Sequence, residues 1–297
     1  MTAPIIRAFF DEPTNTVSYL VADPVTGDAA VIDPVLDFDL PSGEVDTRSA
    51  AAILAAAQQE GWTIRLILET HAHADHLSAA PWLKERTGAD IGIGEHIRDV
   101  QKIFRPVFGF ETNAVRTTDF DRLFADGDHF AVGTLNFEVM HTPGHTPADL
   151  TYRVGDAAFI GDTLFMPDYG TARADFPGGD ARTLYRSIRR VLSLPDDTRL
   201  FLCHDYKAPG RDHYVWETTV ADQRRTSIHV HDGIDEDDFV AMREARDATL
   251  PVPRLLLPSI QVNIHAGHFP EAEANGVRYL KIPVKAKAHY PPSASSE

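Results

Sequence analysis

Cysteine is nearly absent: the 297-residue chain holds one, Cys203, so no intrachain disulfide can form. Basic side chains are also scarce. Lys and Arg number 28 against 44 Asp and Glu, a formal net charge of −16. That balance argues against non-specific binding to nucleic acid or to an anionic membrane surface. No stretch is long and apolar enough to span a bilayer, and Met1 to Asp11 lacks both the basic and the apolar region of a secretory signal. The expectation is a cytoplasmic bacterial protein with no nucleic-acid or membrane partner. Neither an internal repeat nor a clear linker is visible. One domain over residues 1–284, with a C-terminal extension packed against it, is therefore expected, and the Pro, Ser and Ala of the tail 285–297 suggest disorder. Hydrophobic content of 43% and charged content of 24% are those of a globular chain. Cys203 closes an apolar run, which favours a buried inert thiol over a nucleophile.

What is present is a dense run of metal-binding side chains. Thr70-His71-Ala72-His73-Ala74-Asp75-His76 follows the apolar run Leu66-Ile67-Leu68, which reads as a buried strand. Extended spacing puts His71 and His73 on one side, and Asp75 and His76 follow where the chain turns. Three further candidates stand at the ends of apolar stretches: His145 in Thr142-Pro143-Gly144-His145, Asp162 after Phe159-Ile160-Gly161, and His204 after Leu200-Phe201-Leu202-Cys203. A lone histidine is ordinarily a surface or hydrogen-bonded residue. Seven candidates at strand ends are a metal site, and imidazole with carboxylate suits zinc, iron or manganese.

These motifs in this order, His71-x-His73-x-Asp75-His76, His145, Asp162 and His204, resemble the metallo-β-lactamase superfamily across about residues 5 to 210, with Asp33 in Val31-Ile32-Asp33-Pro34 matching its early structural Asp. The resemblance implies an α/β fold: an αββα sandwich of two mixed sheets flanked by helices, with the site at one sheet edge. It does not name the reaction. Two enzyme classes fit the ligands. In a dinuclear zinc hydrolase, His71, His73 and His145 would hold one ion and Asp75, His76 and His204 the other, with Asp162 bridging. In a mononuclear iron oxygenase, His71, His145 and Asp162 would form a two-His, one-carboxylate triad. A non-catalytic metal protein fits less well, because a structural site needs only four ligands.

Further segments resemble the persulfide dioxygenases to about residue 283: Gly170-Thr171-Ala172-Arg173-Ala174-Asp175-Phe176, Gly178-Gly179-Asp180-Ala181-Arg182-Thr183-Leu184-Tyr185, Cys203-His204-Asp205-Tyr206 and Gln261-Val262-Asn263. Thr171-Ala172 stand where some members have Cys-Gly. The resemblance implies one Fe(II) per chain on His71, His145 and Asp162, with O2 and a thiol persulfide, by default glutathione persulfide, as substrates. Zinc is then an alternative or adventitious occupant. His73, Asp75, His76 and His204 become neighbours of the iron ligands or a second metal site. Arg173 would pair with a glutathione carboxylate, the alternative being a structural ion pair with Asp175 or another acid, and Tyr206 would hydrogen-bond the substrate's cysteinyl part, the alternative being packing at the cleft rim. The alternative is a dinuclear zinc thioester hydrolase of the glyoxalase II (hydroxyacylglutathione hydrolase) type, though its helical glutathione-binding domain is not recognisable here. The superfamily resemblance alone points to a homodimer.

Local signals place the elements. A hairpin is expected over residues 17 to 33, a helix from Thr47 as cap to Glu60, a strand over Arg65 to Glu69, a helix over Ala79 to Arg86 and a strand over Asp90 to Ile93. Residues 96 to 122, with Phe104, Phe108, Phe110 and Phe120, read as a packed loop or helix, or alternatively as a wall, lid or subunit contact. Short strands of a second sheet are expected over residues 130 to 162. Helices follow over Ala181 to Ser193 with Asp180 as cap, over Val215 to Arg225, and over Phe239 to Ala248 behind the acidic run Asp235 to Asp238.

Overall fold

The computed structural model describes residues 3–110 and 119–284. β1 (Ile5–Asp11) precedes the expected hairpin of β2 (Thr16–Ala22) and β3 (Asp28–Ile32). A small excursion, β4 (Val35–Asp39) and β5 (Glu44–Asp46), leads to α1 (Arg48–Gln59) and then to β6 (Thr63–Leu68). Next come β7 (Leu77–Ser78), α2 (Ala80–Thr87), β8 (Asp90–Gly94), α3 (Ile97–Phe104) and β9 (Arg122–Phe124). The second half opens with β10 (His129–Val132), β11 (Leu135–His141), β12 (Leu150–Val154) and β13 (Ala157–Phe159). It closes with α4 (Ala181–Val191), β14 (Arg199–Phe201), β15 (Glu217–Thr219), α5 (Val220–Thr226), α6 (Glu236–Asp247) and α7 (Leu256–Asn263).

Two six-stranded mixed sheets result, ordered β1-β2-β3-β6-β8-β9 and β10-β11-β12-β13-β14-β15, beside a small sheet β5-β4-β7. In the first, β3, β6, β8 and β9 run parallel. Leu66, Ile67 and Leu68 of β6 are all buried, as a strand covered on both faces requires. Between the sheets pack Tyr19, Leu68, Phe137, Tyr152, Phe159 and Phe201. The outer face of the first sheet is covered through Ile53, Leu83, Val100 and Ile260 of α1, α2, α3 and α7. That of the second is covered through Leu184, Ile188 and Phe239 of α4 and α6. The layers are α, β, β, α, the expected sandwich. Among the described residues no helix is long and apolar enough to cross a membrane.

Most sequence signals hold. Asp180 and Asp235 cap α4 and α6 by accepting the Thr183 and Asp238 amides at 2.7 and 2.9 Å. Thr47 occupies the cap position of α1 but makes no side-chain cap bond. The helix expected from Val215 is corrected: Glu217–Thr219 pairs antiparallel with β14, and Thr219 caps the shorter α5 by accepting the Asp222 amide at 3.1 Å. The edge of the second sheet offers those β-branched residues a hydrogen-bonding partner, and this overrides the helical pattern. Phe104, Phe108 and Phe120 are core residues, which supports the packed reading of that region; residues 111–118 lie outside the described residues, as does the tail 285–297 expected to be disordered.

Asp23 ties the β2–β3 turn to the β10–β11 turn. Its carboxylate accepts the Val25 amide (3.0 Å), the Thr26 hydroxyl (2.8 Å), and the amide and hydroxyl of Thr134 (2.6 and 3.0 Å). Gly133, at φ +58°, is required beside it, since a Cβ there would lie 2.3 Å from Asp23 Oδ2. Burial opposes the charge on Asp23, but these donors hold its pKa down to about 2. A carboxyl depressed in the folded state stabilises above its unfolded pKa of about 4, and the contribution fades as pH falls through the folded value. Asp23→Asn sets an amide N–H against backbone donors and is expected to lower Tm. The Tm gap to wild type should be constant from about pH 5 to 8 and narrow below about pH 4. Thermal melts across that range check it; a gap that widens on acidification would show that Asp23 is not held as a carboxylate.

Candidate metal centre

β6 ends at Leu68, and the chain then runs irregularly from Glu69 to His76. Asp33 holds this loop. Its carboxylate accepts the Thr70 amide (2.7 Å) and hydroxyl (2.9 Å) and lies 3.0 Å from His73 Nε2. Asp33 sits at φ +50°, a costly conformation for a residue other than glycine, and its own carbonyl accepts the Ser18 hydroxyl at 2.7 Å. From the other side Asn263 of α7 donates to the carbonyls of His73 and His76, both at 2.8 Å, and accepts the Ser78 amide at 2.9 Å. Burial disfavours charge on both Asp33 and His73. Their pairing overcomes it, holding the Asp33 carboxyl below and the His73 imidazole well above the usual range.

The β11–β12 turn delivers His145. Gly144, at φ +139°, lets the turn pack on α4, where a Cβ would lie 2.3 Å from the Leu184 backbone. Asp149 accepts the Thr146 amide (2.6 Å) and hydroxyl (2.8 Å) and closes the turn; burial raises its pKa to about 6. His145 Nδ1 donates to the Arg173 carbonyl at 2.8 Å, which leaves Nε2 as a lone-pair donor 3.6 Å from Asp162 Oδ2. His71 Nε2 lies 4.0 Å from the same oxygen, and its Nδ1 is 3.0 Å from the Thr70 hydroxyl. Burial, reinforced by His73 and His145, pushes the His71 pKa well down, so the ring is neutral and able to donate a lone pair. One ligand atom each from His71, His145 and Asp162 lies within 4.8 Å of the others.

A second group adjoins the first. Asp75 Oδ2 is 3.4 Å from His204 Nε2 and 3.5 Å from His76 Nδ1, and His204 Nε2 is 3.3 Å from Asp162 Oδ1. The Thr16 hydroxyl lies 3.3–3.4 Å from His76, His204 and Asp75. Among the described residues, five buried atoms of the cluster have no hydrogen-bond partner: His71 Nε2, His73 Nδ1, His76 Nε2, Asp162 Oδ1 and His204 Nε2. Such atoms are costly to bury unpaired, and all five are metal donors. The residues therefore fit a bound metal cation.

One expectation is corrected. His71 and His73 are not placed by strand alternation, because the strand ends before them. Their rings are 4.0 Å apart; His73 Nε2 faces Asp33 and lies 3.5 Å from Glu69, and its Nδ1 has no partner among the described residues. Arg173 and Tyr206 both line a cleft of about 500 Å³ that opens onto His145, Asp162 and Asp75. Arg173 is engaged within the protein: Nε and Nη2 meet Asp175 at 2.5 and 2.7 Å and Nη1 meets the Pro251 carbonyl at 2.7 Å. Tyr206 packs its ring on His204 at 5.6 Å, and its hydroxyl makes no hydrogen bond among the described residues. The sequence reading missed Asp149, three residues beyond a turn Thr, and the cleft arginines Arg243, Arg246 and Arg254. Cations in so acidic a chain were the signal. Arg246 and Arg254 are exposed and form no ion pair among the described residues.

The profile of the metallo-beta-lactamase superfamily matches residues 11–204. The chain belongs to the metallo-beta-lactamase superfamily. A probable metallo-hydrolase of Burkholderia pseudomallei is 55% identical over 292 residues, 95% of this chain and 99% of its own length. Glyoxylase B2 of Dictyostelium discoideum is 43% identical, covering 94% of this chain and 96% of that protein. The chain spans 65% of the length of the beta-lactamase hydrolase-like protein of Xylella fastidiosa, at 53% identity over 95% of this chain. The crystal structure of ETHE1 from Myxococcus xanthus has a TM-score of 0.71 and 31% identity, covering 89% of this chain and 100% of that one. This metallo-beta-lactamase superfamily enzyme thus keeps the superfamily's sandwich together with a His and Asp cluster able to bind metal.

The wall of the cleft depends on a buried ion pair. Arg243 meets Asp247 Oδ1 through Nε and Nη2 at 2.9 and 2.6 Å and donates to the Thr171 carbonyl at 3.1 Å, while Asp247 Oδ2 accepts the Ala174 amide at 2.8 Å. Arg243→Met strands the Asp247 carboxylate and is expected to cost about 3–5 kcal/mol. The double variant Arg243→Met/Asp247→Leu should lose less. Urea unfolding of both proteins checks the order, and equal losses would mean that the charge pairing is not what matters.

Proposed function

We propose that this enzyme is an iron-dependent dioxygenase that converts glutathione persulfide, O2 and water to glutathione, sulfite and two protons. The observation that carries this reading is the composition of the first ligand group: two imidazoles and one carboxylate, from His71, His145 and Asp162, converge. His71, His145 and Asp162 would hold Fe(II), which would supply an electron path to O2 that zinc lacks. The sequence resemblance to persulfide dioxygenases in residues 170–185 and 203–206 supports it, as does the likeness to ETHE1.

The chain's own groups have definable work. The Arg173 carbonyl fixes the His145 tautomer, and the Thr70 hydroxyl orients His71. The Tyr206 hydroxyl is free to hydrogen-bond the persulfide's cysteinyl part. Arg246 and Arg254 offer unpaired charge to the glutathione carboxylates, a role for which the engaged Arg173 is less available in this arrangement. Arg173 joins that recognition if Asp175 releases it.

The second reading, a dinuclear zinc thioester hydrolase of the glyoxalase II type, is favoured by the unpartnered Nε2 atoms of His76 and His204 beside Asp75, and by the names metallo-hydrolase and glyoxylase B2 among the relatives. The two readings separate on one preparation. Active protein is expected to contain about one iron per chain and, loaded anaerobically, to consume O2 and form sulfite from glutathione persulfide. Asp162→Asn should abolish iron binding and turnover, whereas His204→Ala should keep the iron and lose roughly 10- to 100-fold in activity. Two zinc ions per chain with S-lactoylglutathione hydrolysis and no iron-dependent O2 uptake would establish the hydrolase.

Substrate charge gives a further prediction. Arg246→Ala and Arg254→Ala should each raise KM for glutathione persulfide about fivefold, close to the upper value of about 1 kcal/mol for an exposed pair, with iron content unchanged. Steady-state O2 uptake with metal analysis checks it. Unchanged KM in both variants would return carboxylate recognition to Arg173.

A further inference from the structure

A second cavity, of about 820 Å³, opens beside α2 and the end of α7 and shares no lining residue with the cleft at the metal cluster. We propose that it binds a small organic monocarboxylate with an apolar body, held by Arg105. The Arg105 side chain lines the cavity and the residue is 5% exposed. Its Nη2 has no hydrogen-bond partner, and Arg105 forms no ion pair among the described residues. A guanidinium buried without a counter-charge is costly. The comparison within this chain is direct: Arg243, also buried, carries its own carboxylate in Asp247. Among the described residues Arg105 has no such partner, which leaves its charge to an anion from outside.

The walls define the rest of the ligand. Trp82, Phe110, Phe269 and Leu36 supply apolar and aromatic surface, and the volume lies in the range of small-molecule sites. Asp119 also lines the cavity, but its carboxylate is taken by His265 Nδ1 at 2.9 Å. With Glu85 and Glu271 it places carboxylates in the lining, which oppose a dianionic phosphate more strongly than a singly charged carboxylate. A carboxylate also matches the planar fork of a guanidinium. The floor includes Ser78, whose hydroxyl bonds Glu69 and whose amide bonds Asn263, the side chain that also holds the His73 and His76 carbonyls. The site is thus built against the back of the metal loop.

The test is calorimetric titration of the full chain with phenylacetate, its neutral amide phenylacetamide, and phenyl phosphate. Saturable phenylacetate binding is expected, at least tenfold tighter than that of either analogue. Arg105→Met should weaken it tenfold or more, and Arg246→Ala, in the separate cleft, should leave it unchanged. If Arg105→Met does not fold, Phe269→Ala takes its place, with an expected loss of about fivefold. Absence of saturable binding at 10 mM phenylacetate (roughly −2.7 kcal/mol, the weakest affinity a real site would show), equal binding of the amide, or loss through Arg246→Ala with none through the cavity variants would overturn the proposal.

Discussion

The centre depends on one buried carboxylate. Asp33 stands in a strained left-handed conformation and spends both oxygens on the histidine loop: one accepts the Thr70 amide and faces His73, the other accepts the Thr70 hydroxyl. A loop of eight residues with three histidines has no regular hydrogen-bonding pattern of its own. Asp33 from the neighbouring strand and Asn263 from the C-terminal helix supply that pattern. Without them the Thr70 and Ser78 amides and the His73 and His76 carbonyls would be buried unpaired, and the imidazoles would have no defined direction.

The sandwich makes such bracing feasible. β3 and β6 are parallel neighbours, so their C-terminal ends deliver Asp33 and the histidine loop to one edge. β13 and β14 are parallel neighbours in the facing sheet and deliver Asp162 and His204 to the same edge. The two sheets are cross-tied there: the Leu150 amide donates to the Thr70 carbonyl, and the Tyr152 hydroxyl to the Glu69 carbonyl, both at 2.9 Å. Strand ends are fixed by the cores on either side of them. The donor atoms therefore converge to within a few ångströms before any cation is considered.

Much of this was legible in the sequence, and the failures have physical causes. The strands, the caps at Asp180 and Asp235 and the convergence of His71, His145 and Asp162 follow from local patterns and from the shared fold. The direction of His73 did not, because alternation applies only inside a strand and β6 ends at Leu68. The ion pair of Arg173 with Asp175 was one of the two readings the sequence left open; the local path of an irregular segment brings the two side chains together. The partner of Glu217–Thr219 is 18 residues away at a sheet edge, which no window of local pattern contains.

The orientation of His73 is where fold and chemistry meet. Both ligand schemes use the same seven side chains, so composition cannot separate them. Nε2 of His73 faces a carboxylate that also holds the loop, so the contact that orders the backbone also fixes the direction of this ring. Nδ1 is left without a partner among the described residues, and His73 groups with Asp75 and His76. A carboxylate behind one ring nitrogen is the usual way to aim the other at a cation, so the ring stays available to either scheme. A single buried hydrogen-bond pattern, set by a strand end some forty residues upstream, thus orients a shared ligand set whose chemistry is decided by the metal it takes.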